Sequence, residues 1–382
     1  MTDVTTYLSP NGQQVTRGAG PATRILVGTL KGVATLRRET PSAPWRLAGR
    51  SLADRHIGQL VHEPGSGKLL AGAHADGGMW VSDDGEGRSW RAINRGIDRP
   101  HIYALAARRN GDGVTLFAGT SPAGLYRSED IGESWTEVAN IHDVADRDKW
   151  TFPPPPHIPH VKQILFHPTE PDTLFVLVEQ GALLKSTDDG RSWVELSAYS
   201  DPDEVAYRDL HRMLIRPDDP DMFFLATGMG LYRTYDGGKS FDHLTVRGVD
   251  RMGYPDFLFF DPTDFGTVFM GGSYLNPGNW YQTGQSKSCV MRSTDEGRTW
   301  LELDNGLPSP VIGAFEAMTQ HVWDGGMMLL AGSATGEVFA TENNGASWTC
   351  ISDEVTPVSK DDHHLPWLTE EERKAAMAHR GL

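Results

Sequence analysis

Ser186-Thr-Asp-Asp-Gly-Arg-Ser-Trp193 is a phrase the chain writes again and again. Ser128-Glu-Asp-Ile-Gly-Glu-Ser-Trp135 and Ser293-Thr-Asp-Glu-Gly-Arg-Thr-Trp300 repeat it in full. Thr234-Tyr-Asp-Gly-Gly-Lys-Ser-Phe241 ends in Phe, and Thr341-Glu-Asn-Asn-Gly-Ala-Ser-Trp348 puts Asn where the others have Asp. Ser82 to Trp90 carries one extra residue, and around Trp45 only the aromatic survives. Asp and Ser side chains can accept hydrogen bonds from the backbone of their own turn. Gly takes the positive φ of a tight hairpin, and Trp lays a large apolar surface between packed sheets. Local turn chemistry therefore accounts for these aspartates, and they are not catalytic candidates.

The anchoring aromatics fall at 45, 90, 135, 193, 241, 300 and 348, at spacings of 45, 45, 58, 48, 59 and 48. A period of about 45–48 residues is one four-stranded blade. Seven of them predict an all-β, seven-bladed β-propeller over residues 23–366. Residues 1–22, polar and rich in Gly and Thr, read as an N-terminal arm. Thr369-Glu-Glu-Glu372 reads as a capping box opening a short helix within a tail, 367–382.

Six units open with an innermost strand: 56–62, 101–107, 160–167, 210–216, 256–261 and 312–319. The first unit lacks one. Val355-Thr-Pro-Val-Ser-Lys360 at the far end of the chain is the expected replacement, closing the ring and removing an open sheet edge.

The net charge of −16 on 382 residues disfavours nucleic acid and anionic membrane surfaces as partners. The two cysteines, Cys289 and Cys350, have no CxxC pairing and read as small hydrophobes. The first residues show no basic segment followed by an apolar run, so a cytoplasmic location is expected.

In an up-and-down blade the repeated turns and the short links after the innermost strands share one face. The large insertions, 142–159 with Trp150 and 276–287 with Trp280 and Tyr281, fall on the other, with the links 198–209 and 244–255. Long loops on a rigid scaffold are where binding concentrates. At that face the innermost strands begin with Arg55-His56, His101 and Tyr103, His160 and Lys162, Asp209, His211 and Arg212, and Tyr254 and Asp256. Lys360, His363 and His364 would join them by ring closure. His56, His101, His160 and His211 could hold one divalent metal ion, or could serve as polar channel residues bonding water and loop backbone. Arg55, Lys162, Arg212, Lys360 and Arg251 could hold a substrate carboxylate, with Asp256 beside them, or form salt bridges with Asp209, Asp256 and Glu179. The acid–base candidates are His101, Tyr103, His211, Glu179 and Glu316; Tyr207 and Tyr254 could donate protons or shape the wall. Trp150 and Trp280 could stack on a sugar ring or pack down locally.

The repeated phrase resembles the Asp-box, or BNR, repeat of sialidases, sortilin-type receptors, xyloglucan hydrolases and a photosystem assembly factor. The resemblance runs from about residue 24 to 360 and is greatest to bacterial seven-bladed WD40/YVTN/BNR-like proteins labelled glycosyl hydrolase or sialidase-like. Asp209-Leu-His211 is similar to strand openings of xyloglucan-type propellers, which use two tandem propellers. The Arg-Ile-Pro or Arg-Leu-Pro tripeptide of true sialidases does not occur. Oligogalacturonate lyases share the seven-bladed architecture and use a histidine-held metal, without matching motifs. The resemblance implies an enzyme, lyase or hydrolase, acting on an anionic small molecule such as a carbohydrate acid. The alternative it implies is a non-catalytic scaffold for a protein partner.

Overall fold

The computed structural model describes residues 3–111, 113–151, 157–196 and 208–379. Among these residues the strands form seven sheets, six of four strands and one of five. The sheets follow one another in chain order around a ring, as expected.

The repeated turns close as their chemistry requires. Ser186 Oγ donates to Asp188 Oδ1 at 2.8 Å, and the N–H groups of Gly190 and Ser192 donate to Ser186 Oγ and Asp188 Oδ1, each at 2.8 Å. Gly190 stands at φ 84°, a conformation costly for a side chain. Asn343 serves in place of Asp: its Oδ1 accepts from Thr341 Oγ1 at 2.8 Å and from the Ser347 N–H at 2.9 Å. Seven hydrophobic clusters lie between neighbouring blades, and each holds one anchoring aromatic: Trp45, Trp90, Trp135, Trp193, Phe241, Trp300 or Trp348. Burying one tryptophan is worth on the order of 4–6 kcal/mol of transfer free energy.

Ring closure differs from expectation. The N-terminal segment is no arm. Thr5–Leu8 fills the innermost position of the first blade, parallel to Arg24–Thr29, and Val15–Arg17 adds a fifth strand beside Phe315–Trp323 of the seventh. Between these strands, residues 9–14 run down the channel along the second blade. The N–H groups of Asn11 and Gln13 donate to the carbonyls of Gly58 and Leu60, each at 2.9 Å. Gly12 makes this approach possible, since a Cβ there would lie 2.5 Å from the Leu60 backbone.

Val355–Lys360 does not form the missing strand. Val358 is buried in the cluster between the seventh and first blades, its N–H donating to Ser333 O at 3.0 Å, and Pro357 O accepts from the Leu30 N–H at 2.9 Å. Pro357 has no N–H to donate, and the segment makes single bonds to the blades on either side, so it packs between them without joining a ladder. It delivers Lys360, His363 and His364 to the channel mouth. Beyond it, Thr369 Oγ1 accepts from the Glu372 N–H at 3.2 Å while Glu372 Oε2 accepts from the Thr369 N–H at 2.9 Å, and the helix Glu370–His379 follows. No described helix is long and apolar enough to cross a membrane.

Candidate functional site

Six innermost strands share one irregularity. Pairing with the neighbouring strand skips a single residue in each of blades two to seven: Gly58, Tyr103, Lys162, His211, Asp256 and Glu316. A bulge leaves its extra residue outside the ladder and re-aims the side chain. Here five polar side chains are brought, buried, to the channel mouth. Gly58, in the sixth place, leaves room for His74, whose Nε2 would lie 2.1 Å from a Cβ there.

An arc of rings follows. His56 meets His74 edge-on with centroids 4.6 Å apart, His74 Nδ1 lies 3.1 Å from His101 Nε2, and Tyr103 lies over His160 at 3.7 Å. His74 escaped the sequence reading although it stands just past the second strand of its blade, Lys68–Ala73, opposite His56 as Glu179 stands opposite His160: the His74 N–H bonds His56 O, and Glu179 pairs with His160. That equivalence was the available signal. Burial, with His56 and His101 beside it, holds the His74 imidazole well below the usual range, so it is neutral.

Glu179 is the hub of the arc. Its Oε2 accepts from Lys162 Nζ at 2.6 Å and meets His160 Nε2. Burial alone would raise this carboxyl, but Lys162 and His160 outweigh it and hold it well below the carboxylate range. Asp256 Oδ2 meets Lys360 Nζ, and Glu316 accepts from the Lys360 N–H at 2.9 Å and faces His363 Nδ1 at 3.0 Å. Burial and the like charges of Lys162 and Arg212 pull the Lys360 amine well below the lysine range, while the Glu179 carboxylate works against that shift. Burial first, then nearby carboxylates, pushes the Tyr103 and Tyr254 phenols well above their ordinary value. The expected cationic mouth is thus largely neutralised by internal pairs.

The four-histidine metal set is not what the structure assembles. His56 Nε2 lies 2.9 Å from Ser359 O, and His160 is engaged with Glu179. Among the described residues, the one group whose ligand atoms lie within 4.8 Å of one another is Glu179, Asp209 and His211, all buried. His211 Nδ1 lies 2.7 Å from Pro255 O, and its Nε2 stands 3.3 Å from Asp209 Oδ1 and 3.9 Å from Glu179 Oε1 without a hydrogen bond. Gly228 gives the Asp209 carboxylate its place, since a Cβ there would lie 1.9 Å from Oδ2.

Other expected residues stand elsewhere. Trp150 is buried in the core between the third and fourth blades, under Arg147. Trp280, on the short helix Pro277–Thr283, is buried against His363 and Trp367, so neither indole is open for stacking on a sugar. Both loops are long enough to fold back and bury their largest apolar residue. Arg55 lies at the rim, 3.6 Å from Asp54 and over the Trp80 ring, and Arg251 pairs with Glu302 at 2.8 Å. Arg212 points away from the mouth toward Asn11. Tyr207 and the link 198–207 lie outside the described residues.

No family model matches the chain. The xyloglucanase Xgh74A of Acetivibrio thermocellus is 25% identical over 211 residues, covering 48% of this chain and 23% of that protein. This chain therefore spans about a quarter of that relative's length. The crystal structure of an ancestral GH74 enzyme superposes with a TM-score of 0.59 at 15% identity, over 77% of this chain and 38% of that one. YCF48 from Cyanidioschyzon merolae does so with a TM-score of 0.50 at 13% identity, over 79% and 87%. The two structural likenesses establish the propeller fold.

Proposed function

We propose that the channel mouth is the active site of a hydrolase or lyase that acts on a small anionic molecule, a carbohydrate acid, with one divalent cation held by Glu179, Asp209 and His211. The observation that carries this reading is the bare His211 Nε2. The Pro255 carbonyl assigns the proton to Nδ1, which leaves a buried lone pair facing two carboxylate oxygens at 3.3 and 3.9 Å. Three electron-rich groups so placed repel one another unless a cation joins them. Their separations suit ligands each about 2.0–2.2 Å from a common centre, and an imidazole with two carboxylates suits a borderline divalent ion.

Such an ion supplies Lewis acidity, polarising a substrate oxygen or acidifying a water. The chain's own residues supply the rest. Lys162 keeps Glu179 ionised, and the Pro255 carbonyl orients His211. Tyr103 and Tyr254, held protonated, are proton donors, and the His363–Glu316 pair is the acceptor. The xyloglucanase relative supports a carbohydrate ligand. The free space lined by Lys162, Glu179, His211, Tyr254, Glu316 and His363 is about 10 Å³, room for one water, so substrate entry on this reading requires residues 360–367 to lift.

That closed mouth also favours a second reading, a scaffold whose outer face receives a protein partner. Metal analysis of untagged full-length protein separates the two. About one divalent ion per chain, lost in His211→Ala and Asp209→Asn, with turnover of uronic-acid oligosaccharides lost in the same variants, supports the enzyme. A metal-free wild type that turns over none of them supports the scaffold.

A further inference from the structure

At the opposite end of the channel, behind the N-terminal segment, lies a cavity of about 390 Å³. Its floor is Asn11–Gln14, and its walls are the far halves of the innermost strands of blades two to four, with Arg212 at the deep end. Arg212 is 2% exposed. Its Nε reaches Asp256 O at 3.3 Å and its Nη2 reaches Asn11 Oδ1 at 3.5 Å, both long, and among the described residues it forms no ion pair. Two further donors, Asn11 Nδ2 and Gln14 Nε2, are buried without a partner. A desolvated guanidinium and unbonded amide N–H groups are each costly, and three donors of one polarity beside one cavity call for an acceptor. Arg109 and Glu63, 3.7 Å apart, offset each other nearby, which leaves Arg212 to set the sign of the cavity.

We propose that this cavity is a second ligand site, separate from the channel mouth, which binds a small organic monocarboxylate through Arg212, Asn11 and Gln14. One guanidinium with two neutral amides balances a single negative charge, whereas a phosphate dianion would bury one charge in excess. Val61, Leu105, Ile164 and Phe166 offer an apolar wall to the carbon skeleton. The volume is that of an ordinary small-molecule pocket.

The test is calorimetric titration of the full-length protein at low salt with butyrate, benzoate and glucuronate, and with inorganic phosphate for comparison. Arg212→Gln is the informative variant because Gln59 and Gln163 hold the matching position in blades two and four. Their amides bond the next blade's carbonyls, Tyr103 O at 2.9 Å and Met213 O at 3.3 Å. At least one carboxylate should bind the wild type and bind R212Q tenfold or more weakly, and Asn11→Ala and Gln14→Ala should each weaken it severalfold. His211→Ala should leave this binding unchanged, which separates the site from the channel mouth. The proposal is overturned if no carboxylate binds, if phosphate is preferred, if Asn11→Ala and Gln14→Ala leave binding unaltered, or if His211→Ala abolishes it.

Discussion

The imidazole of His74 occupies the space that a side chain at Gly58 would need: a Cβ on Gly58 would lie 2.1 Å from His74 Nε2. Gly58 has an ordinary negative φ, so the obstacle is the ring and not the backbone. Gly58→Ala should therefore cost about 1–3 kcal/mol, as overpacking does in tight cores. With His74→Ala in the same chain, much of that loss should return as a coupling of about 0.5–3 kcal/mol. Urea denaturation of the wild type, the two single variants and the double variant measures it. Strict additivity would mean that the ring yields freely.

The repeated turns make an acid-sensitive ring. Hydrogen bonds from Ser192 and Ser186 hold the Asp188 carboxyl down at about 2, and bonds from Thr299 and Ser293 do the same for Asp295. An unfolded aspartate titrates near ~3.9. A depressed folded value means that the stabilisation is complete above the unfolded value and is lost as pH falls toward the folded one. The melting temperature should thus drop between about pH 4 and pH 2. Asp188→Asn and Asp295→Asn together should flatten that drop, because Asn343 already closes its turn with an amide. Melting curves at pH 7, 4 and 3 decide it; an unchanged pH slope would place the acid sensitivity elsewhere.

The fold was legible because one eight-residue phrase, whose hydrogen bonds are internal to the turn, repeats with its tryptophan at blade spacing. The site was legible in part because an innermost strand must start near the axis, which placed Tyr103, Lys162, His211 and Asp256 at the mouth. The bulges that aim these residues left no mark in a pattern of alternating apolar residues. His74 was hidden because its reason for being there is a missing side chain at Gly58. The strand Thr5–Leu8 was hidden because its four residues pair in parallel with a distant edge, an interaction that no local signal encodes. Trp150 and Trp280 misled because an aromatic on a long loop looks the same in sequence whether it faces solvent or folds inward.

That first strand carries stability. Leu8 is fully buried between the seventh and first blades, with Val27 and Val358 in its cluster. Leu8→Ala should cost about 2–5 kcal/mol, the range for truncating a buried leucine. Val249→Ala, at a residue 75% exposed, should stay within about 0.5 kcal/mol. Guanidinium unfolding of both variants checks the contrast. A Leu8→Ala loss as small as that of Val249→Ala would return the first residues to the status of a loose arm.

The pair between Lys360 and Asp256 spans the closure of the ring, and its removal should be felt through pH. Asp256 Oδ1 already lacks a hydrogen bond, and Oδ2 depends on the lysine. Lys360→Met would strand a buried carboxylate at a cost of about 3–5 kcal/mol near neutrality. An unpaired buried Asp256 has its folded pKa raised above the unfolded value, so the penalty is full above that raised value and is relieved as pH falls through it. The variant should accordingly recover stability relative to wild type on going from pH 7 to pH 5, and Asp256→Asn added to Lys360→Met should remove most of the loss at pH 7. Urea unfolding at the two pH values reads both effects. Equal losses at pH 7 and pH 5, unrelieved by Asp256→Asn, would show that Lys360 contributes by packing against Phe257, whose ring centroid is 4.4 Å from its Nζ, and not by its charge.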